Sequence, residues 1–263
     1  MRWLRKSLAL ALIGLLLSGS PAYATIAFFG VASVPADNGT NTADPEIAPP
    51  ASMTLHDLVV VNCGAANNAV TVDISATDGG QSWTDLGGDT TNLSSHVLWT
   101  SFDGTWDNNP IFDFSATPGN ASCVMLVFRP TTTACTWAVD NTLAFVNVSS
   151  GSTTHTITGV TRAGASAVAV GGWFVEGAPP ATWSNFAWTG GSQTGLGAQY
   201  RNTAGVDNSF AYAYHIGTGA TGNAALDQSA TYNGKTLIVS FAETCPAGGG
   251  PARGLLLGVA DDD

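Results

Sequence analysis

Apolar runs and alternating stretches follow one another twice along this chain in the same order. The first set opens with Asp57-Leu-Val-Val-Val-Asn-Cys63, a continuous apolar run suited to a strand buried on both faces. It continues through Trp83-Thr-Asp-Leu86, the aromatic strand His96-Val-Leu-Trp99, the alternating Pro110-Ile-Phe-Asp-Phe-Ser115 and the closing Cys123-Val-Met-Leu-Val-Phe-Arg129. The second set runs Ala167-Val-Ala-Val-Gly-Gly-Trp173, Trp183, Gly197-Ala-Gln-Tyr-Arg201, Ser209-Phe-Ala-Tyr-Ala-Tyr214 and Lys235-Thr-Leu-Ile-Val-Ser-Phe241. Period-two alternation and Gly-rich turns such as Asp78-Gly-Gly80 and Gly87-Gly-Asp89 predict strands throughout, and no amphipathic helical stretch is found. Ala69 to Ile74 and Ile111 to Phe114 alternate as half-exposed strands do.

These patterns predict an all-β fold: a duplicated antiparallel β-sandwich, jelly-roll-like, with halves at about 53–130 and 155–245 sharing one core. Thr25 to Val34 is a further apolar strand candidate, and Pro35 to Ser52 reads as an extended loop. Thr136 to Ile157 supplies more alternation between the halves.

The N-terminus changes the picture of where the protein works. Arg2, Arg5 and Lys6 precede a short apolar run from Leu8 to Leu17 and then Ala22-Tyr23-Ala24, so residues 1–24 read as a secretory signal peptide. That run is half of what a spanning helix needs, and the mature chain is expected to be secreted or surface-bound, or alternatively part of a virion. The signal takes three of the eight basic residues and no acidic one, leaving five against nineteen and a formal charge of about −14. Arg129, Arg162, Arg201, Lys235 and Arg253 are scattered, which excludes a nucleic-acid partner as the working expectation. Residues 246–263 form a Gly/Pro linker and tail, in which Leu255 to Val259 either folds back or adds to a neighbouring subunit.

The order of Asp57-Leu-Val-Val-Val, Trp83-Thr-Asp-Leu86, Val97-Leu-Trp99 and Val127-Phe-Arg129 resembles the β-sandwich modules of phage structural proteins and bacterial surface proteins. His56 and Pro130 stand where that pattern carries Gly. The resemblance covers most of residues 55 to 245, implies a non-catalytic structural or adhesive role, and transfers no catalytic residues.

Candidate chemistry is sparse. Four cysteines in an exported chain predict two disulfides, with three pairings open. If the strands of Asp57 and Cys123 are antiparallel neighbours, Cys63 meets Cys123 and Cys135 is left with Cys245. His56, His96, His155 and His215 are dispersed and lack metal-ligand spacing, and Gly190-Gly-Ser192 lacks a nucleophile elbow. Asp103, Asp107 and Asn109 gather oxygen ligands in one loop, a weak calcium candidate, and otherwise no cofactor is expected. Among eight Trp residues, Trp83, Trp99 and Trp183 are assigned to the core, and Trp106 and Trp188 are the ligand-contact candidates. The expected function is an exported, non-enzymatic structural or adhesive protein that self-assembles or contacts surface glycan or protein. A carbohydrate-binding module is the alternative, and a glycan-active enzyme using Asp103 and Asp107 the weaker one.

Overall fold

The computed structural model describes residues 25–36, 39–41, 43–65, 72–73, 78–90, 93–115, 120–148, 152–177, 182–189, 194–203 and 207–246. The expected signal peptide and the C-terminal tail after Pro246 lie outside them. The first seven strands are β1 (Ala27–Val34), β2 (Leu58–Ala65), β3 (Val72–Asp73), β4 (Thr84–Asp89), β5 (Ser94–Ser101), β6 (Asp113–Phe114) and β7 (Ser122–Arg129). The next eight are β8 (Thr136–Val148), β9 (Thr154–Ile157), β10 (Thr161–Glu176), β11 (Trp183–Trp188), β12 (Thr194–Asn202), β13 (Asn208–Ala220), β14 (Ala224–Gln228) and β15 (Gly234–Thr244). The fold is all-β with antiparallel sheets, and its one helical turn among the described residues is a three-residue 3-10 turn at Asp78–Gly80.

Two five-stranded sheets dominate, ordered β1-β7-β2-β5-β4 and β8-β15-β10-β13-β12. Reading β1, β2, β4, β5 and β7 against β8, β10, β12, β13 and β15 makes the two orders identical. The pairing details repeat as well. Phe28 pairs with Phe128 and Gly30 with Val127, leaving Phe29 as an extra residue; Val139 pairs with Phe241 and Asn141 with Ser240, leaving Asp140. Each edge strand thus carries a β-bulge at the corresponding place. The edges also meet reciprocally, β1 against β12 and β8 against β4.

Continuous apolar runs form the central strands because both of their faces are covered. In β2 every residue is buried: Leu58 and Val60 join Val168, Val170, Phe210 and Val239 of the other sheet in one shared core. Val59, Val61 and Cys63 face the opposite way, beneath Ile47, Phe102 and Phe112, so part of the Pro35 to Ser52 loop roofs this sheet. The central strand of the second sheet repeats the logic, with Trp173 and Val175 under the small sheet β11-β14-β9. Across the shared core, Tyr214 meets Phe128 at 5.5 Å while Trp99 meets Phe241 at 5.3 Å, aromatic pairs at corresponding positions of the two sheets.

Polar ties between the sheets cluster at the β4–β5 and β12–β13 hairpins. Lys235, 1% exposed, donates from Nζ to the Asp89 and Leu93 carbonyl oxygens at 2.7 and 2.6 Å and lies 3.1 Å from Asp89 Oδ1. Ser122, at the matching register position of β7, donates to Asn208 Oδ1 at 2.9 Å.

Several expectations change in detail. Ser209 to Tyr214 matches β5, not the Pro110 to Ser115 stretch, of which only Asp113–Phe114 is a strand. Trp83 precedes β4 whereas Trp183 opens β11, so these two indoles do not occupy corresponding positions. Both pack in the outer layers, Trp83 with Phe112 and Trp183 with His155, and Trp99 alone of the three belongs to the inter-sheet core. Of the predicted strand from Ala69 to Ile74, the described part is Val72–Asp73. The second sheet starts at Thr136, earlier than the expected boundary at about residue 155, because the edge strand β8 belongs to it.

Candidate functional site

The loops that enter and leave the β4–β5 pair bring together the calcium candidates Asp103, Asp107 and Asn109 and the ligand-contact candidate Trp106. Gly79 and Gly80, with φ of 68° and 77°, adopt the left-handed turn that glycine tolerates. The turn needs glycine for space too: a Cβ on Gly79 would sit 2.9 Å from the Trp106 ring, and one on Gly80 would sit 2.7 Å from Asp107 Oδ2. Trp106 is half-buried, stacked on Phe102 at 5.2 Å and close to Trp83 at 6.3 Å. Its indole is therefore packed against Gly79 and Phe102 in the outer layer.

Asp103 and Asn109 are engaged locally through their side chains, and Asp107 through its amide, which donates to Gly79 O at 3.1 Å. Asp103 Oδ1 accepts from Gln81 Nε2 at 2.8 Å and from the Thr105 amide at 3.1 Å, while Gln81 Oε1 accepts from the Asp103 amide. Asn109 donates to Glu46 at 3.1 Å. A calcium ion would have to compete with these bonds. Among the described residues, the one cluster of three acidic, imidazole or sulfur ligands is Cys135, Glu243 and Cys245. Its two sulfurs are joined in a disulfide, and the carboxylate accepts from the Thr131 amide and hydroxyl.

Cys63 is bonded to Cys123 and Cys135 to Cys245. Cys63 and Cys123 are direct register partners on β2 and β7. The second bridge lies one residue outside the β8–β15 pairing of Thr136 with Thr244. Two disulfides fit an oxidising, extracytoplasmic environment. Among the described residues no helix is long and apolar enough to cross a membrane.

No protein-family model, curated protein or solved structure matches this chain.

Trp188, the other ligand-contact candidate, is half-buried at the end of β11, 5.7 Å from the His215 ring and 6.4 Å from Phe186. His215 Nδ1 lies 2.9 Å from Arg162 Nη1, whose guanidinium also donates to the carbonyl oxygens of His215, Thr218 and Gly219. Burial pulls the Arg162 pKa down, and Asp140 opposes that shift. Trp106 and Trp188 are thus far apart in packing context, one above the first sheet and one above the second.

The remaining histidines have separate roles. His96 Nε2 is 2.6 Å from Asp85 Oδ1. His56 has a φ of 67°, in the left-handed region that favours glycine. It keeps that conformation with three bonds: its amide donates to Phe102 O, its carbonyl accepts from Trp137 Nε1, and its ring meets Thr133 O at 2.8 Å. His56→Gly is expected to leave the melting temperature nearly unchanged. His56→Val, β-branched and without the ring bond, should cost about 1–3 kcal/mol in a urea titration. Equal stability of the two variants would remove the backbone argument.

His155 on β9 is fully buried against Trp183, and burial lowers its pKa, opposed by the Ser152 backbone and Asp227. Well above pH 6.5 the ring is neutral both folded and unfolded. As the pH falls below 6.5, the unfolded chain takes up a proton that the folded chain refuses, so stability falls. The slope is at most about 1.4 kcal/mol per pH unit. The urea midpoint should therefore drop between pH 6.5 and 5 by more in the native chain than in His155→Leu; parallel profiles would assign the acid sensitivity elsewhere.

The chain also contains a cleft that sequence reasoning missed. It has a volume of about 350 Å³ and is walled by Gln81, Ser82, Thr84, Trp99, Ser101 and Asp103. Thr84 and Trp99 come together because they are register partners of β4 and β5. The sequence signal was limited to a Trp followed by Thr and Ser, which reads equally well as an ordinary strand end.

Proposed function

We propose that this protein is an exported, non-enzymatic β-sandwich built from two related halves, acting as a structural or adhesive component of a cell surface, an extracellular assembly or a virion. One observation carries the reading: the buried charged side chains tie strands together. Asp57 binds Arg129 and the Thr54 amide, Arg162 binds three carbonyl oxygens, and Lys235 bridges to the opposite sheet. Groups held this way serve rigidity, which a scaffold exposed outside the cell requires. The matched strand orders and matched bulges support duplication, and the two disulfides support export.

The mature chain from Thr25, purified under oxidising conditions, tests the reading by light scattering coupled to size exclusion and by adhesion to cells. Oligomers, filaments or adhesion agree with it. A monomer that neither assembles nor adheres would overturn it, as would hydrolytic turnover of a glycan lost on Asp103→Asn or Asp107→Asn.

A further inference from the structure

The two sheets place an aromatic ring at corresponding positions on the shared-core face, and the rings are covered differently. Tyr214 is Val170's register partner, as Trp99 is Val60's. Tyr214 is capped by Phe28, stacked at 4.7 Å with the rings 14° apart. The position corresponding to Phe28, set by its bulge, is Val139. Valine offers no ring, and among the described residues the ring nearest Trp99 is Phe241, tilted at 55°. The cleft opens on this indole, which no stacked ring caps among the described residues.

The walls have a definite chemistry. Ser82, Thr84 and Ser101 carry hydroxyls, Asp103 a carboxylate, and no basic side chain lines the space. Gln81, 1% exposed, fixes the wall by bonding Asp103 and the Thr105 carbonyl oxygen. Asp103 Oδ1 is occupied by those contacts, which leaves Oδ2 as an acceptor. Trp99 Nε1 and Ser101 Oγ are buried without a hydrogen-bond partner. An indole face beside several hydroxyls and one carboxylate complements a ring with an apolar C–H face and hydroxyls around its rim. The acidic wall and acidic chain disfavour an anionic ring.

We propose that this cleft is a binding site for one neutral pyranose unit of a glycan, stacked on Trp99 and hydrogen-bonded by the Thr84 hydroxyl and Asp103. The site deepens the adhesive reading given above by naming what is held and where.

Saturation-transfer NMR on the mature chain, with glucose, galactose, mannose and N-acetylglucosamine as probes and glucuronate as the anionic control, tests it. Transfer to at least one neutral sugar and none to glucuronate is expected. Thr84 is exposed at the mouth, so Thr84→Arg should block the cleft and weaken binding at least about tenfold while leaving the melting temperature unchanged. Trp99→Leu should abolish the transfer. A folded chain to which no neutral sugar binds overturns the proposal, as does preference for glucuronate or binding that survives Thr84→Arg. Assembly without sugar binding would sink this site alone, whereas a non-assembling, non-adhering monomer that binds sugar through Trp99 would keep the site and sink the role proposed for the whole protein.

Discussion

Replacing Arg129 with Met should lower the unfolding free energy by about 3 kcal/mol, one of the two largest effects expected of any change discussed for this chain. Asp57 is fully buried, and Arg129 grips it with two bonds, Nε to Oδ1 at 3.2 Å and Nη2 to Oδ2 at 3.0 Å. The guanidinium also lies 4.0 Å from the Phe29 ring centroid and donates to Ser52 O. Removing it leaves a buried carboxylate with the Thr54 amide and hydroxyl as its other partners. An uncompensated buried charge costs about 3–5 kcal/mol, and the lower end applies because the Arg129 side chain is 34% exposed. The double change Asp57→Leu with Arg129→Met removes the charge as well, and should recover most of the loss. Urea titrations with the disulfides intact measure both. If the double variant were as unstable as the single one, packing of the arginine stem on Phe29 would be the cause.

This pair also explains what the sequence could reveal. Asp57 and Arg129 begin and end the most recognisable pattern in the chain, Asp-Leu-Val-Val-Val and Val-Phe-Arg, and they face each other across β2 and β7. The same register joins Cys63 to Cys123, so the antiparallel pairing of these strands carries the disulfide with it. Central strands were legible because burial on both faces demands an unbroken apolar run. Edge strands were not. β1 and β8 share a bulge but little composition, Ala27-Phe-Phe-Gly30 against Ala138-Val-Asp-Asn141 around it, so their correspondence emerges only from pairing. The order of runs along the chain aligns Ser209 to Tyr214 with Pro110 to Ser115, whereas in the sheet it corresponds to β5, because alternation gives the face of a strand and not its place in the sheet. The cleft was hidden for a related reason: Trp99 looks like any core indole until one sees that Val139, unlike Phe28, supplies no ring to cover it.

The two disulfides should differ in a way that loop length alone does not predict. Cys63 and Cys123 are separated by 60 residues, Cys135 and Cys245 by 110. Loop-closure entropy gives about 4 and about 5 kcal/mol for these spans, slightly favouring the second bridge. Burial acts the other way. Cys63 and Cys123 are both fully buried beside Val61 and Met125, so alanine at both positions opens a void worth about 1 kcal/mol, while in the second pair Cys135 is buried but Cys245 is exposed, so its void is about half as costly. The two effects oppose each other at similar size, so the paired alanine variants should each lose about 4–5 kcal/mol, a large fraction of the total stability of an ordinary domain. Kinetics should separate them clearly. A mild thiol reductant reaches Cys245 from solvent, whereas the Cys63–Cys123 bridge can be attacked only after β2 and β7 part from the core. Timed reduction followed by alkylation and peptide mapping should label Cys135 and Cys245 well before the other two. Simultaneous labelling would mean that the sheets open as one unit, and that the second bridge is what keeps the first one closed.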